Sequence, residues 1–527
     1  MPEVSFTIRW PDGTSQLGRS PSRAITELIT EGGVYPCPEF VRRARDGLNA
    51  ASDRVRERYG FACTAAAEQL DAIQAGAARQ SADPDGLVAV ERLRVDPPDL
   101  RFPPPDRLDG HHEVIVVGGG QAGLAVSWCL RDQGVEHVVL ERHRVGHAWR
   151  EERWDAFCLV TPNWQCQLPG HPYPGGDPDG FMVKEEIIGY LDSYVDSAVP
   201  PLHEGVRVTE VAADGDGFRV STSHGTLSAD RVVLAVGGYH LPSLPAIAGR
   251  LPSRVTQLHS STYKNPSSLP DGEILVVGSG QSGAQIAEDL LLAGRDVHLC
   301  VGSAPRVARF YRGRDCVAWL EDMGHYRMPI DEHPQGLAAR REPNHYVTGR
   351  DGGRDIDLRR HAAAGMRLHG RLLACDGATL SFGGDLAKNL DAADATAERI
   401  KDAIDRWIDK QGIDAPQEAR YVPVWQPPAS PSETIELADA AITTVIWSTG
   451  FRSDWSWVKL PAFDGAGYPT HHRGVTSVDG LYVVGLPWLH TWGSARFAGI
   501  ARDAGFVAEH IAERTGALEE DRSSAAA

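Results

Sequence analysis

Glu113-Val114-Ile115-Val116-Val117-Gly118-Gly119-Gly120-Gln121-Ala122-Gly123 decides the fold. A β-prone run enters glycines, and the glycines enter an amphipathic stretch carrying Leu124, Val126, Trp128 and Leu130. Gly134 ends that stretch, and His137-Val138-Val139-Leu140-Glu141 reads as a second strand. Strand, glycine turn, helix and strand, with an acid at the second strand's tip, form the unit that binds a dinucleotide. Gly118 permits the tight turn, Gly120 leaves the backbone open to a pyrophosphate, and Gly123 lets helix and strand pack closely. Gln121 and Ala122 open the helix, whose free N–H groups and partial positive charge favour phosphate. Glu141 is placed to accept from a ribose diol, with Arg142 beside it.

The unit occurs twice. Glu273-Ile274-Leu275-Val276-Val277-Gly278-Ser279-Gly280-Gln281-Ser282-Gly283 repeats it, and Asp296-Val297-His298-Leu299-Cys300 is its following strand. The step from Gly118 to Glu141, taken from Gly278, lands on Val301, so the acid is missing. Ser303, Arg306 and Arg309 follow instead. An acid would repel a 2′-phosphate and an arginine would grip it. The first site therefore reads as FAD or NAD and the second as NADP, with Arg306 as phosphate ligand; the alternative for Arg306 is a solvated loop residue.

The chain has 527 residues, enough for about three ordinary domains. Its net charge of −18 argues against nucleic acid or an anionic membrane as partner. No apolar run reaches membrane-spanning length, and Met1-Pro2-Glu3-Val4-Ser5 lacks a basic-then-apolar signal region. The 8 cysteines include no CxxC pair, which weakens a dithiol reductase reading and a zinc site. A cytoplasmic protein without metal is expected; a homo-oligomer is allowed.

Residues 1–80 read as a small α+β module. Val4, Phe6, Ile8 and Trp10 alternate as in a half-buried strand. Val41, Ala44, Leu48, Ala51 and Val55 make a helical stripe, and a second helix is predicted over 65–78 with Thr64 as N-cap. Cys37 and Cys63 read as small buried hydrophobes. Phe6-Thr7-Ile8-Arg9-Trp10-Pro11-Asp12-Gly13 and Arg56-Glu57-Arg58-Tyr59-Gly60-Phe61-Ala62-Cys63 resemble the small bacterial nitrogen-starvation response proteins. Residues 81–110, with Asp96-Pro97-Pro98-Asp99 and Pro103-Pro104-Pro105-Asp106, read as a proline-rich linker.

Beyond Glu141, Val145-Gly146-His147-Ala148-Trp149-Arg150 and His259-Ser260-Ser261-Thr262-Tyr263-Lys264 join the paired fingerprints. Together, over 113–510, they resemble the flavin-containing monooxygenases. One departure is Ser253 and Val255, where that family has FxG before the histidine. The resemblance implies FAD, NADPH and O2 as reactants. It lays Trp149 along the flavin and puts His259 at the junction to the NADPH domain. It also puts Asn163 near the reactive ring, although Asn163 equally reads as a turn residue after Pro162. Tyr263, where Baeyer–Villiger relatives carry tryptophan, leans towards heteroatom oxygenation. Gly237 ends the strand at the domain crossover, and Gly485 ends the last FAD-domain strand. Trp488, His490, Trp492 and Arg496 follow as flavin-pocket or core residues, so the catalytic candidates are Asn163, His259 and Trp492.

The predicted fold is α/β: two Rossmann-like dinucleotide-binding domains, the NADPH domain inserted in the FAD domain, plus the N-terminal module. The bounds are 111–250 and 436–515 for FAD, 251–435 for NADPH, and a disordered tail at 516–527. A helical insertion is predicted near 386–411, from the stripe Leu386, Leu390, Ala393, Ala397, Ile400, Ile404 and Trp407. Residues 311–315 and 348–357 read as loops facing substrate or solvent. The implied reaction is NADPH-dependent monooxygenation of a small molecule. The chain also resembles a bacterial subfamily of flavin-dependent oxidoreductases encoded beside the nitrogen-starvation protein and a nitrilase, which implies a nitrogen-containing substrate. The alternatives are a flavin oxidoreductase or oxidase without oxygen insertion, and a non-catalytic nucleotide-binding sensor.

Overall fold

A computed structural model of the chain describes residues 4–20, 22–59, 64–80, 86–95, 100–429 and 434–526. Asp96-Pro97-Pro98-Asp99, Cys63 and Ala527 lie outside the described residues. The chain divides into two compact units, Met1–Arg101 and Phe102–Ala527.

The first unit is a four-stranded antiparallel sheet in the order Ser15–Ser20, Val4–Arg9, Leu87–Val95, Val34–Pro36. Val4, Phe6 and Ile8 point inward, as their alternation requires. They meet Phe40, Ala44 and Leu48 of the helix Cys37–Tyr59, and Ile73 of the helix Thr64–Ala78. The linker expected over 81–110 is corrected here. Leu87–Val95 is an inner strand of this sheet, with Val88 and Val90 buried. Charged residues on its outer face and prolines on both flanks hide it in the sequence. Downstream, Phe102 N donates to the Glu204 carboxylate at 3.1 Å and Leu108 N to His224 O at 2.7 Å, so that stretch is docked on the second unit.

The second unit holds two parallel sheets. In the first, Leu202–Glu204, His137–Glu141, His111–Val117, Gly225–Leu234 and Leu481–Val483 lie side by side. Val208–Asp214 and Gly217–Thr222 form an antiparallel meander that runs into Gly225–Leu234. In the second, the order is Thr256–His259, Ile442–Trp447, Glu273–Val277, Val297–Cys300, Arg367–His369. The chain leaves the first sheet after Leu234, builds the second, and returns through Ile442–Trp447, so one domain is inserted in the other. Strands buried on both faces explain the unbroken Val/Ile/Leu runs in the sequence.

The helix Leu386–Gln411 lies between the strands Thr379–Phe382 and Thr434–Glu436 and buries Leu390, Ala393, Ala397 and Ile404 along one face. The final helix runs Ile500–Ala526 rather than stopping before a disordered tail. After Gly516 the sequence is mostly Ala, Leu, Glu and Arg, which are good helix formers. No helix among the described residues is long and apolar enough to cross a membrane.

Because the two units each have their own core, a chain lacking residues 1–101 is expected to fold and keep its flavin. Flavin absorbance after gel filtration checks this; a colourless product would make the first unit part of the cofactor domain.

Candidate functional site

The two glycine turns have the same geometry. Gly118 has φ +108° and Gly278 φ +106°, a region open to glycine. Behind them, the strands ending at Leu234 and Trp447 come so close that a Cβ would meet Ala235 O at 2.7 Å or Ser448 O at 2.5 Å. A Cβ on Gly123 or Gly283 would run into the carbonyl oxygen of Gly118 or Gly278. Gly120 and Gly280 differ: nothing lies within 4 Å of an added Cβ. No side chain caps the helices Gln121–Asp132 and Gln281–Leu292, so their N-termini face open space. Tight walls, an open middle glycine and an uncapped helix fit a pyrophosphate at each turn.

The strand tips differ in space as in sequence. Val117 pairs with Leu140, and Val277 with Cys300, so Glu141 and Val301 are equivalent positions. The Glu141 carboxylate accepts from Gly119 N at 2.7 Å and His143 N at 2.8 Å. Burial pushes its pKa up, against those N–H bonds. At the second site Val301 is buried, and Ser279 Oγ accepts from Gly302 N at 3.0 Å. Ser303 is exposed beside it.

Arg306, expected as a phosphate ligand, is instead buried on a carboxylate and does not line the cavity described below. It is 3% exposed, with Nε 2.6 Å from Asp394 and its guanidinium 4.2 Å from the Tyr421 ring centroid. Arg309 is likewise buried, on Asp315 at 2.9 Å and on Val160 O at 2.7 Å. Asp394, distant in sequence, draws Arg306 inward, and nearby Asp315 with the distant Val160 carbonyl draws Arg309.

One cavity of about 940 Å³ joins both turns. Gly118, Gly120, Gln121, Ala122, Glu141 and Arg142 line it from the first site, and Gly280, Gln281 and Ser282 from the second. Trp149, Gly237, Gly485 and Trp492 also line it. Trp149 stacks on Phe497 at 5.6 Å, and its Nε1 reaches Gln121 Oε1 at 3.4 Å. Gln121 in turn donates to Ala495 O at 3.3 Å, tying helix, tryptophan and C-terminal segment together. Gln281 does the same at the second site, gripping both backbone groups of Val347.

Two catalytic candidates, Asn163 and His259, make fold-holding hydrogen bonds and do not line the cavity. Asn163 is buried, donating to Asp177 O at 3.0 Å and accepting from Met182 N at 2.7 Å, so it clips a loop and does not line the cavity. His259 bonds Ser261 Oγ at 2.9 Å and Gly450 O at 3.0 Å, holding the strand Thr256–His259 to the returning turn; burial lowers its pKa. Tyr263 is fully buried and donates to Asp289 at 2.7 Å, away from the cavity. The charged loops at 311–315 and 348–357 point to neither substrate nor solvent alone. Arg350 meets Asp289 and Arg354 meets Glu288, clamping the loop to the second glycine helix.

Sequence reasoning missed the wall contributed by residues 325–345, including His325, Tyr326, His333 and Asn344. Short 3-10 turns there give no periodic signal. Trp488, at the cavity, holds φ +52°, a strained state for a bulky residue that costs about 1–3 kcal/mol.

Residues 5–93 match the family described as nitrogen starvation-induced protein NitG. Residues 115–321 match the family described as pyridine nucleotide-disulphide oxidoreductase. An uncharacterized CzcO-like oxidoreductase of Geobacillus kaustophilus is 31% identical over 404 residues, 76% of this chain and 98% of that protein. A probable indole-3-pyruvate monooxygenase, YUCCA4 of Arabidopsis thaliana, is 31% identical over 196 residues, 37% of this chain and 47% of that protein. The solved flavin-containing monooxygenase from Stenotrophomonas maltophilia has a TM-score of 0.51 at 21% identity, covering 77% of this chain and 100% of that one.

Two outcomes are expected. Gly120→Val meets open space, so it should fold normally and purify colourless, whereas Gly280→Val should stay yellow and lose NADPH oxidation; normal flavin occupancy in Gly120→Val would move the FAD site elsewhere. Arg306→Ala should leave the NADPH-to-NADH preference unchanged and cost about 1–3 kcal/mol in denaturant unfolding, because Asp394 keeps only Arg359 as partner.

Proposed function

The chain belongs to the CzcO-like family of oxidoreductases and is a flavin-dependent enzyme with FAD and NADP as cofactors; on that premise we propose that it is an NADPH-driven monooxygenase that places one atom of O2 in a small, nitrogen-containing substrate. The single cavity that reaches both glycine cradles and continues into an aromatic end carries this reading. FAD, when bound, supplies hydride acceptance and oxygen activation. The chain's own residues do the rest. Gly118, Gly120 and Gly123 with the first helix receive one pyrophosphate, and Glu141 accepts from the ribose. Gly278, Gly280 and Gly283 receive the other, and the missing acid at Val301 leaves room for a 2′-phosphate beside Ser303. Trp149 and Phe497 form an apolar wall for the flavin ring, and Trp492 with Tyr326 closes the far end against bulk water.

Oxygen transfer fits these residues better than dithiol exchange, for which the sequence offers no CxxC pair. In the second unit, Cys158, Cys166, Cys300 and Cys316 form no disulfide and are buried. The nitrogen-containing substrate is supported by the fusion to a module of the nitrogen starvation-induced family.

Incubating the enzyme with NADPH, ¹⁸O2 and a panel of amines and nitrile-related compounds tests this. A product carrying a single ¹⁸O atom is expected. NADPH consumption that yields only hydrogen peroxide across the panel would make the enzyme an oxidase.

A further inference from the structure

Arg496 stands in the cavity wall with its guanidinium flat on Trp492, 3.8 Å from the ring centroid. It donates to the Trp492 carbonyl oxygen and, at 2.8 Å, to Asn344 Oδ1, both neutral acceptors. No carboxylate among the described residues pairs with it. Arg496 is half-buried, and that burial lowers its pKa. Deeply buried arginines of this unit are treated differently: Arg306, Arg309 and Arg359 each meet an aspartate. Arg153 shares Arg496's condition, but it lies over Trp149 and Phe157, on the wall given above to the flavin.

A guanidinium has five N–H donors, and two of Arg496's are engaged by neutral oxygens. An anion entering the cavity would use the remainder and offset the uncompensated charge. The surfaces around it are aromatic. Trp492 lies 4.4 Å from Tyr326 and packs on the cluster of Trp488, Ile330 and Ala339. Trp488 is held there in a strained backbone state, which the fold maintains only where packing over-determines it.

We propose that this end of the cavity binds the substrate through a carboxylate paired with Arg496 and seats an aromatic body against Trp488, Trp492 and Tyr326. The proposal rests on the monooxygenase reading for the identity of the occupant as substrate, while the binding itself needs no oxygen transfer. A nucleotide phosphate offers the same chemistry, and Asn344 is near in sequence to Val347, which Gln281 grips.

The test titrates FAD-loaded, full-length enzyme with phenylacetate and benzoate and with their neutral amides, reading the perturbation of flavin absorbance. The acids should bind on the order of tenfold more tightly than the amides. Arg496→Gln should erase that preference, Arg496→Lys should keep part of it, and the Kd for NADPH should be unchanged in both. Equal binding of acid and amide by the wild type overturns the proposal. So does an Arg496→Gln enzyme with a raised NADPH Kd and an intact acid preference, which would hand the guanidinium to the nucleotide. If Arg496→Gln does not fold, the wild-type comparison and Arg496→Lys still decide. An enzyme that incorporates no ¹⁸O yet prefers the acids would keep this site and lose only the oxygenation.

Discussion

The approach of each first-turn helix to the strand before it is the constraint on which the second unit depends. At Gly123 and Gly283 the helix lies so close to the carbonyl of Gly118 or Gly278 that no side chain fits between them. That closeness points the helix N-terminus across the turn and leaves its N–H groups uncapped. Helix packing and anion affinity are therefore one property. The remaining elements are arranged around this pair of turns: the strands ending at Leu234 and Trp447 brace them from behind, and the glutamine that opens each helix ties a distant segment over the cavity.

The repeat then shows how the same scaffold diverges. At the first tip a carboxylate caps the turn, accepting from Gly119 N. At the second the link runs the other way: a neutral hydroxyl in the turn itself, Ser279 Oγ, accepts from Gly302 N just past the strand tip. Both solutions satisfy a backbone donor near the turn, yet only the first adds negative charge where a ribose edge would lie. Removal of that charge is the first thing a 2′-phosphate would need at this tip.

Legibility followed range. The paired fingerprints and the helix Leu386–Gln411 rest on local periodicity and on glycine and were readable from the chain, while the inserted topology was implied by the family resemblance. Arg306 was misread, and Asn163 left open, because their contacts are set by Asp394 and by the backbone at Asp177 and Met182, partners that spacing does not disclose. Leu87–Val95 was hidden for a related reason: its partner strand, Val4–Arg9, is distant in sequence, and prolines flank it. A charged or amide side chain near a motif is ambiguous until its counter-group is known, whereas a glycine's value is carried by its own backbone.

The same distinction separates the two ends of the cavity. Its dinucleotide end is built from backbone and glycine, so it tolerates little change and reads clearly. Its far end is built from Tyr326, Asn344, Trp488, Trp492 and Arg496, contributed by irregular segments that meet only in the folded chain. Irregular backbone holds no periodic pattern, but it accepts substitution without disturbing either sheet. Specificity can therefore be altered at the far end while the cofactor geometry stays fixed. Arg496, which meets no carboxylate among the described residues, also belongs to that adjustable end, where a ligand would supply the counter-ion.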